Sequence, residues 1–117
     1  MKLCIEVNLP EPDMLTWSLE SLARGPWDEI HLVAVYSTIT VQANGYMPEK
    51  GHARKATCAA ADILIAAGAS SASIVRYELP DHTKQSTGRV SALCDYIERN
   101  GIHAVTVLAQ QRGILTR

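Results

Sequence analysis

Four short runs of apolar residues are spread along the chain and are separated by polar or proline-containing segments. They predict β-strands over residues 3–8, 29–36, 73–79 and 102–109. In the second run isoleucine, leucine and valine occupy both odd- and even-numbered positions. This is typical of a strand that is covered on both faces in a parallel sheet. In the third run Val75, Tyr77 and Leu79 alternate with Arg76 and Glu78, which predicts an edge strand.

Between these runs the apolar residues recur at three- and four-residue spacing, which predicts helices. The expected starts are Asp13, His52 and the position after Gly88, and the expected stops are Gly25, Gly68 and Gly101. The buried stripe of the third helix is predicted to comprise Val90, Leu93, Cys94 and Ile97.

The alternation of strands and helices predicts an α/β fold. Its core would be a parallel sheet with right-handed crossovers and helices on both faces, which is a three-layer sandwich. A chain of 117 residues suits a single domain spanning residues 1–117. The polar segment 37–51 is the longest predicted loop, and long loops in compact domains are often functional.

Charge and hydropathy exclude two classes of partner. The net charge is −1 and the pI is about 6.4, whereas nucleic acids and anionic membrane surfaces are recognised by clustered basic residues. No apolar run approaches the ~20 residues of a membrane span, and the run at residues 3–5 is too short for a signal peptide. We therefore expect no nucleic-acid or membrane partner, and a cytoplasmic location.

Familiar catalytic and metal-binding patterns do not occur in this sequence. The histidines have no HxxxH pairing and no carboxylate at ligand spacing, and no Gly-x-Ser-x-Gly or Cys/His signature is present. Cys4, Cys58 and Cys94 lack CxxC spacing, so small buried thiols are expected rather than a disulfide or zinc site. Neither catalytic residues nor a metal site is predicted, and the chain is not expected to be an enzyme.

Three features allow more than one interpretation. The polar loop 81–88 could bind an anion at the start of the third helix, or simply cap that helix. Glu6 lies in the expected central strand, where it indicates either a missing covering helix or a partner hydroxyl or lysine. Trp27, which follows Pro26 in a turn, is expected to be partly exposed and could mark an interface.

Three stretches and the order of the elements resemble the universal stress protein family over essentially the whole chain. The stretches are LTWSLESLA at 15–23, DEIHLVAV at 28–35 and VLAQQRG at 107–113. The resemblance implies a Rossmann-like, adenine nucleotide α-hydrolase-like sheet with strand order 3-2-1-4. In nucleotide-binding members an acidic residue ends strand one, and a G-x-x-G-(x)9-G-[ST] loop after strand four wraps the phosphates.

The same resemblance implies a nucleotide crevice formed by Asn8, Leu9, Val35, Gln110, Arg112 and Gly113. However, Asn8 stands where the acid is expected, Gln110 replaces the first glycine, and Arg117 ends the sequence before the last motif residues. Glycines matter there because backbone N–H groups can then approach phosphate oxygens. We therefore expect no required cofactor and a weakened or lost affinity for ATP or AMP.

A complete family member also carries a fourth helix and a fifth strand, which commonly form the dimer interface. Without them the edge of strand four is open, so a homo-oligomer through that edge, or a protein partner, is expected. The first hypothesis is a non-enzymatic module in a stress response. The alternative is an ATP- or AMP-binding sensor, and a third, an enzyme of the wider hydrolase group, lacks that group's phosphate motif.

Overall fold

The computed structural model describes residues 1–7, 16–37, 50–81 and 88–108. In these ranges a parallel sheet of four strands has the order β3-β2-β1-β4, and three helices connect the strands along the chain. The elements are β1 (Lys2–Val7), α1 (Thr16–Ala23), β2 (Glu29–Ser37), α2 (Lys50–Ala66), β3 (Ile74–Asp81), α3 (Gly88–Arg99) and β4 (Ala104–Leu108). The predicted α/β class and strand order are confirmed.

The larger hydrophobic core lies between one face of the sheet and the helices α1 and α2. Alternate residues of β1 point into it, and their register partners Ile30 and Leu32 of β2 do the same. The small side chains of α2 allow the helix to approach the sheet closely. The buried α2 residues are Ala53, Ala56, Thr57, Ala60, Ala61 and Leu64. Trp27 is half-buried, as expected, and packs against this core.

A smaller core lies on the other face of the sheet, under α3. Cys4 of β1 and Val33 of β2 are fully buried there, together with Leu93 and Tyr96 of α3. The helix α3 packs against β3 and β2. The sheet therefore has helices on both faces, as the sequence predicted.

The buried stripe of α3 differs from the predicted one. Leu93 and Tyr96 are buried, whereas Val90 is 61% exposed and Cys94 is also exposed. The reason is Tyr96, whose ring and hydroxyl both find partners on the sheet and thereby set the rotation of the helix. The expectation that all three thiols are buried is likewise wrong, because only Cys4 is buried.

Two strand boundaries differ by two residues from the sequence prediction. β3 continues through Pro80 to Asp81, although proline predicted an end at Leu79. An edge strand tolerates proline, because one side of its backbone has no strand to bond. At the other edge of the sheet β4 begins at Ala104, two residues later than expected.

Glycine ends α2 and α3 in the way the sequence predicted. Gly68 and Gly101 have φ angles of 111° and 61°, which are left-handed conformations that favour glycine. In each case the following amide reaches back to a carbonyl five residues earlier, at 3.0 Å from Ala69 N to Leu64 O and 3.1 Å from Ile102 N to Ile97 O. These bonds satisfy carbonyls that the helix end leaves open.

Leu64 provides a test of the larger core, because it is fully buried while its neighbour Ile65 is 43% exposed. Leu64→Ala should lower the free energy of unfolding by about 2–5 kcal/mol, since it removes buried methyl groups and leaves a cavity. Ile65→Ala in the same helix should change it by less than about 0.5 kcal/mol. Urea denaturation followed by circular dichroism measures both, and equal losses would contradict the assigned face of α2.

Candidate functional site

The strand order places β1 beside β4, and this adjacency defines the crevice expected for a ligand. Val7 and Leu108 are register partners, so the carboxyl ends of the two strands lie side by side. In the sheet, β2 and β3 lie on one side of β1 while β4 lies on the other, which makes this point the topological switch of the sheet. Open α/β sheets bind ligands at such points.

Only one residue of the predicted crevice lies in the described part of the chain. Val35 is near the carboxyl end of β2, where it pairs with Leu79 of β3, and its side chain is buried. The predictions for Asn8, Leu9, Gln110, Arg112 and Gly113 fall outside the described residues. These five remain predictions, although they follow the adjacent strand ends of β1 and β4 in sequence.

A buried carboxylate lies one residue before the end of β1. Glu6 is 2% exposed and has an interaction partner within the protein. Burial and, as a smaller cause, the negative charge of Glu6 together raise the pKa of the neighbouring Cys4 thiol to about 11. Because the thiolate is the reactive form, Cys4 is protonated and inert at neutral pH.

A hydrogen-bonded network that was not predicted from the sequence links Glu29, His31 and Tyr96. His31 is buried in β2, its Nδ1 lies 2.6 Å from the Tyr96 hydroxyl, and its Nε2 lies 2.8 Å from a Glu29 carboxylate oxygen. One neutral tautomer satisfies both contacts, with Nε2–H donating to Glu29 and the Tyr96 hydroxyl donating to Nδ1. The hydrogen bond from His31 lowers the pKa of Glu29.

One half of this network could have been found from the sequence. Glu29 and His31 are two residues apart in a strand, so their side chains share a face. Tyr96 could not have been paired with them, because it comes from α3, 65 residues further along the chain. The spacing pattern of metal ligands therefore did not reveal Glu29 as the carboxylate partner of His31.

The Glu29–His31–Tyr96 network joins β2 to α3. Burial raises the pKa of the Tyr96 phenol to about 12, and the charge of Cys4 is the next cause. A phenol with that pKa is a poor proton donor or nucleophile near neutral pH, since general acids and bases work best when their pKa is close to the operating pH. The hydrogen bonds among Glu29, His31 and Tyr96 hold α3 against the sheet.

A groove of about 730 Å³ runs between β3 and α3, on the same face of the sheet as Tyr96. We call it the β3–α3 groove. Its sheet side is apolar and carries Val75, Tyr77 and Leu79, while its helix side carries Ser91, Ala92, Asp95 and Arg99. Asp81 lies at one end and is buried. The Tyr77 ring stacks on the Tyr96 ring, with centroids 5.3 Å apart and 27° between the planes.

Two kinds of feature are absent from the described ranges. No group of three or more histidine, cysteine, aspartate or glutamate side chains in residues 1–7, 16–37, 50–81 and 88–108 could hold a metal ion. None of the helices in those same ranges combines the length and apolar character needed to cross a membrane.

Comparison with known proteins gives a likeness of structure but none of sequence. No protein-family model matches the chain, and no curated protein sequence matches it. Among solved structures, a universal stress protein in complex with cAMP resembles this chain with a TM-score of 0.49 and 11% sequence identity. The likeness covers 95% of this chain and 98% of that protein. The assignment of the fold rests on the strand pairing of this chain itself.

The Tyr96 hydroxyl provides a test of the link between α3 and the sheet. Tyr96→Phe removes the partner of a buried ring nitrogen of His31, so the free energy of unfolding should fall by about 1–3 kcal/mol. Tyr77→Phe is the matched control, because Tyr77 is 44% exposed and stacks on the same ring. It should cost less than about 0.5 kcal/mol in the same denaturation experiment. Equal effects would show that the His31 contact contributes no stability.

Proposed function

We propose that this chain is a non-enzymatic module of the universal stress protein type. It acts in a stress response by associating with another chain, in the first instance a second copy, through the free edge of β4. Nucleotide binding at the crevice between β1 and β4 is weakened or lost. The observation that supports this proposal most directly is the chemistry of β4.

β4 is the last strand of the described sheet and pairs with β1 on one side only. Its sequence, AVTVL over Ala104–Leu108, contains no charge, no proline and no glycine. Val105 is 43% exposed. Natural proteins normally protect an edge strand with charges, proline or a covering segment, because an unprotected edge pairs with other chains. An uncharged edge of this kind is suited to pairing with a further strand.

The proposed loss of nucleotide affinity is supported by the sequence at the crevice. Asn8 cannot supply a carboxylate to an adenine amino group, and the Cβ of Gln110 hinders the approach of backbone amides to phosphate. The single glycine that matches the family motif, Gly113, is not enough to form the loop. The crevice topology remains, while the groups that would recognise ATP or AMP are mostly replaced.

Val105→Lys tests association through β4. A lysine at this position places a charge beside the free edge, so the average mass of the assembly should fall relative to the unaltered chain. Sedimentation velocity over a series of protein concentrations measures the change. Val90→Lys is the matched control: the same substitution on an exposed valine of α3 should leave the mass unchanged. Identical sedimentation of Val105→Lys and the unaltered chain would refute association through β4.

The second candidate function is an ATP- or AMP-binding sensor. The observation that favours it is the adjacency of β1 and β4, whose carboxyl ends meet at the switch point. In this hypothesis Asn8 replaces the acidic residue that ends strand one in nucleotide-binding family members. The phosphate loop comes from residues 110–113 or from a neighbouring chain. The two candidates differ in one measurable property, the affinity for nucleotide.

A thermal-shift titration with MgATP, and with AMP in parallel, separates the two candidates. The first proposal predicts no shift at millimolar nucleotide. The sensor predicts a saturable rise in Tm, since ligand at 100 times its Kd stabilises the folded state by about 2.7 kcal/mol.

The control variants for this titration are Gly113→Ala and Gly51→Ala. A nucleotide-dependent shift that disappears in Gly113→Ala but survives in Gly51→Ala would establish the sensor and refute the first proposal. Gly51 suits the comparison because an added methyl group there meets no atom of the described residues within 4 Å.

A further inference from the structure

The opposite edge of the sheet carries a pattern that the proposed function does not use. β3 pairs with β2 on one side, and no strand of the described ranges lies on its other side. Its central residues are open to solvent: Val75 is 37% exposed, Tyr77 is 44% exposed, and Arg76 is exposed between them. Exposed apolar side chains that lie together on a sheet edge indicate an interaction surface.

The sequence of β3 is self-complementary about Tyr77. Arg76 precedes the tyrosine and Glu78 follows it, and the next residues outward are the apolar Val75 and Leu79. Reversal of the strand therefore exchanges a cation for an anion and one apolar side chain for another. Such a pattern is suited to an antiparallel partner with the same sequence.

A two-fold axis perpendicular to the sheet would bring two β3 edges together in antiparallel orientation. The same surface then serves both copies, as in any isologous dimer. Residues directly opposite each other share a face of the sheet. The two residue numbers of each opposite pair must therefore add up to an even number. With the axis at Tyr77, Arg76 lies opposite Glu78 of the second copy and Glu78 lies opposite its Arg76.

Neighbouring registers lose this complementarity. A shift of the axis to Arg76 places the two arginines opposite each other, and a shift to Glu78 does the same with the two glutamates. Opposite charges directly across an antiparallel pair are stabilising and like charges are destabilising. Charge therefore selects the register centred on Tyr77.

The other face of the pair is apolar and adjoins the β3–α3 groove. In the register centred on Tyr77, the two Tyr77 rings face each other and Val75 lies opposite Leu79 of the second copy. Cross-strand pairs of aromatic or aliphatic side chains are stabilising. The apolar side of the groove, which is open in a single chain, would then be covered by the second copy. Pro80 has no N–H to donate and would lie opposite Ile74 of the second copy, so the pairing is limited to residues 75–79.

We propose that the free edge of β3 pairs with the same edge of a second copy, antiparallel and centred on Tyr77. Two copies would then form one continuous sheet of eight strands. This interface is distinct from the proposed association at β4, and each can fail without the other.

The test is a charge exchange, carried out in the Val105→Lys background so that β4 does not contribute. Arg76→Glu and Glu78→Arg each place like charges opposite each other twice in the dimer. Each should raise the dimer dissociation constant roughly tenfold or more. The double variant with both substitutions restores opposite charges in the same register and should dimerise like the parent. Analytical ultracentrifugation measures the dissociation constants, and circular dichroism confirms that all variants are folded.

A mixing experiment makes the test specific to the register. Equal amounts of Arg76→Glu and Glu78→Arg chains should form heterodimers, because every charge in such a pair faces its opposite. In the unaltered chain, Arg76 Nη1 lies 3.0 Å from the sulfur of Cys58. The double variant lacks this contact, so the contact cannot be the cause of restored pairing. Unchanged dimerisation in the single variants, or a double variant and a mixture that both stay monomeric, would overturn the proposal. So would a parent that remains monomeric at high concentration.

Discussion

The burial of β1 and β2 on both faces is the constraint on which the rest of the structure depends. Side chains of β1 enter one core through Leu3 and Ile5 and the other through Cys4, and β2 does the same with Leu32 and Val33. A parallel sheet of this kind must be covered on both sides. The placement of α1 and α2 on one face and α3 on the other follows from that requirement. Within the described residues, each of the two outer strands has one edge that pairs with no other strand.

The two cores are held in different ways. Under α1 and α2, many small and aliphatic side chains pack together, so the apolar contacts are spread over α2 from Ala53 to Leu64. Under α3 the contact depends largely on one residue. Tyr96 fills space against the sheet, stacks on Tyr77 and hydrogen-bonds to His31. A single amphipathic side chain therefore determines both the rotation of α3 and the shape of the groove beside it.

The two free edges of the sheet differ in chemistry, and this difference bears on how the molecule can assemble. β4 is short and uncharged, so it is suited to pair with a strand without strong preference for register. β3 carries a cation and an anion on one face and apolar side chains on the other. Such alternation specifies register, orientation and partner together. The crevice between β1 and β4 lies away from β3, so assembly at that edge does not obstruct it.

The sequence by itself determined the class of the fold, the strands and helices of the described ranges, the edge character of β3 and the glycine stops of α2 and α3. These features depend on local periodicity and on backbone conformation, which are determined by residues close together in the sequence. Of the candidate site, the sequence could place only the loops that follow β1 and β4. Only the tertiary structure decided the rest: the buried face of α3, the contact of His31 with Tyr96, the extension of β3 through Pro80 and the side of each outer strand that stays free. Each of these depends on residues far apart in the chain, so local pattern alone could not reveal it.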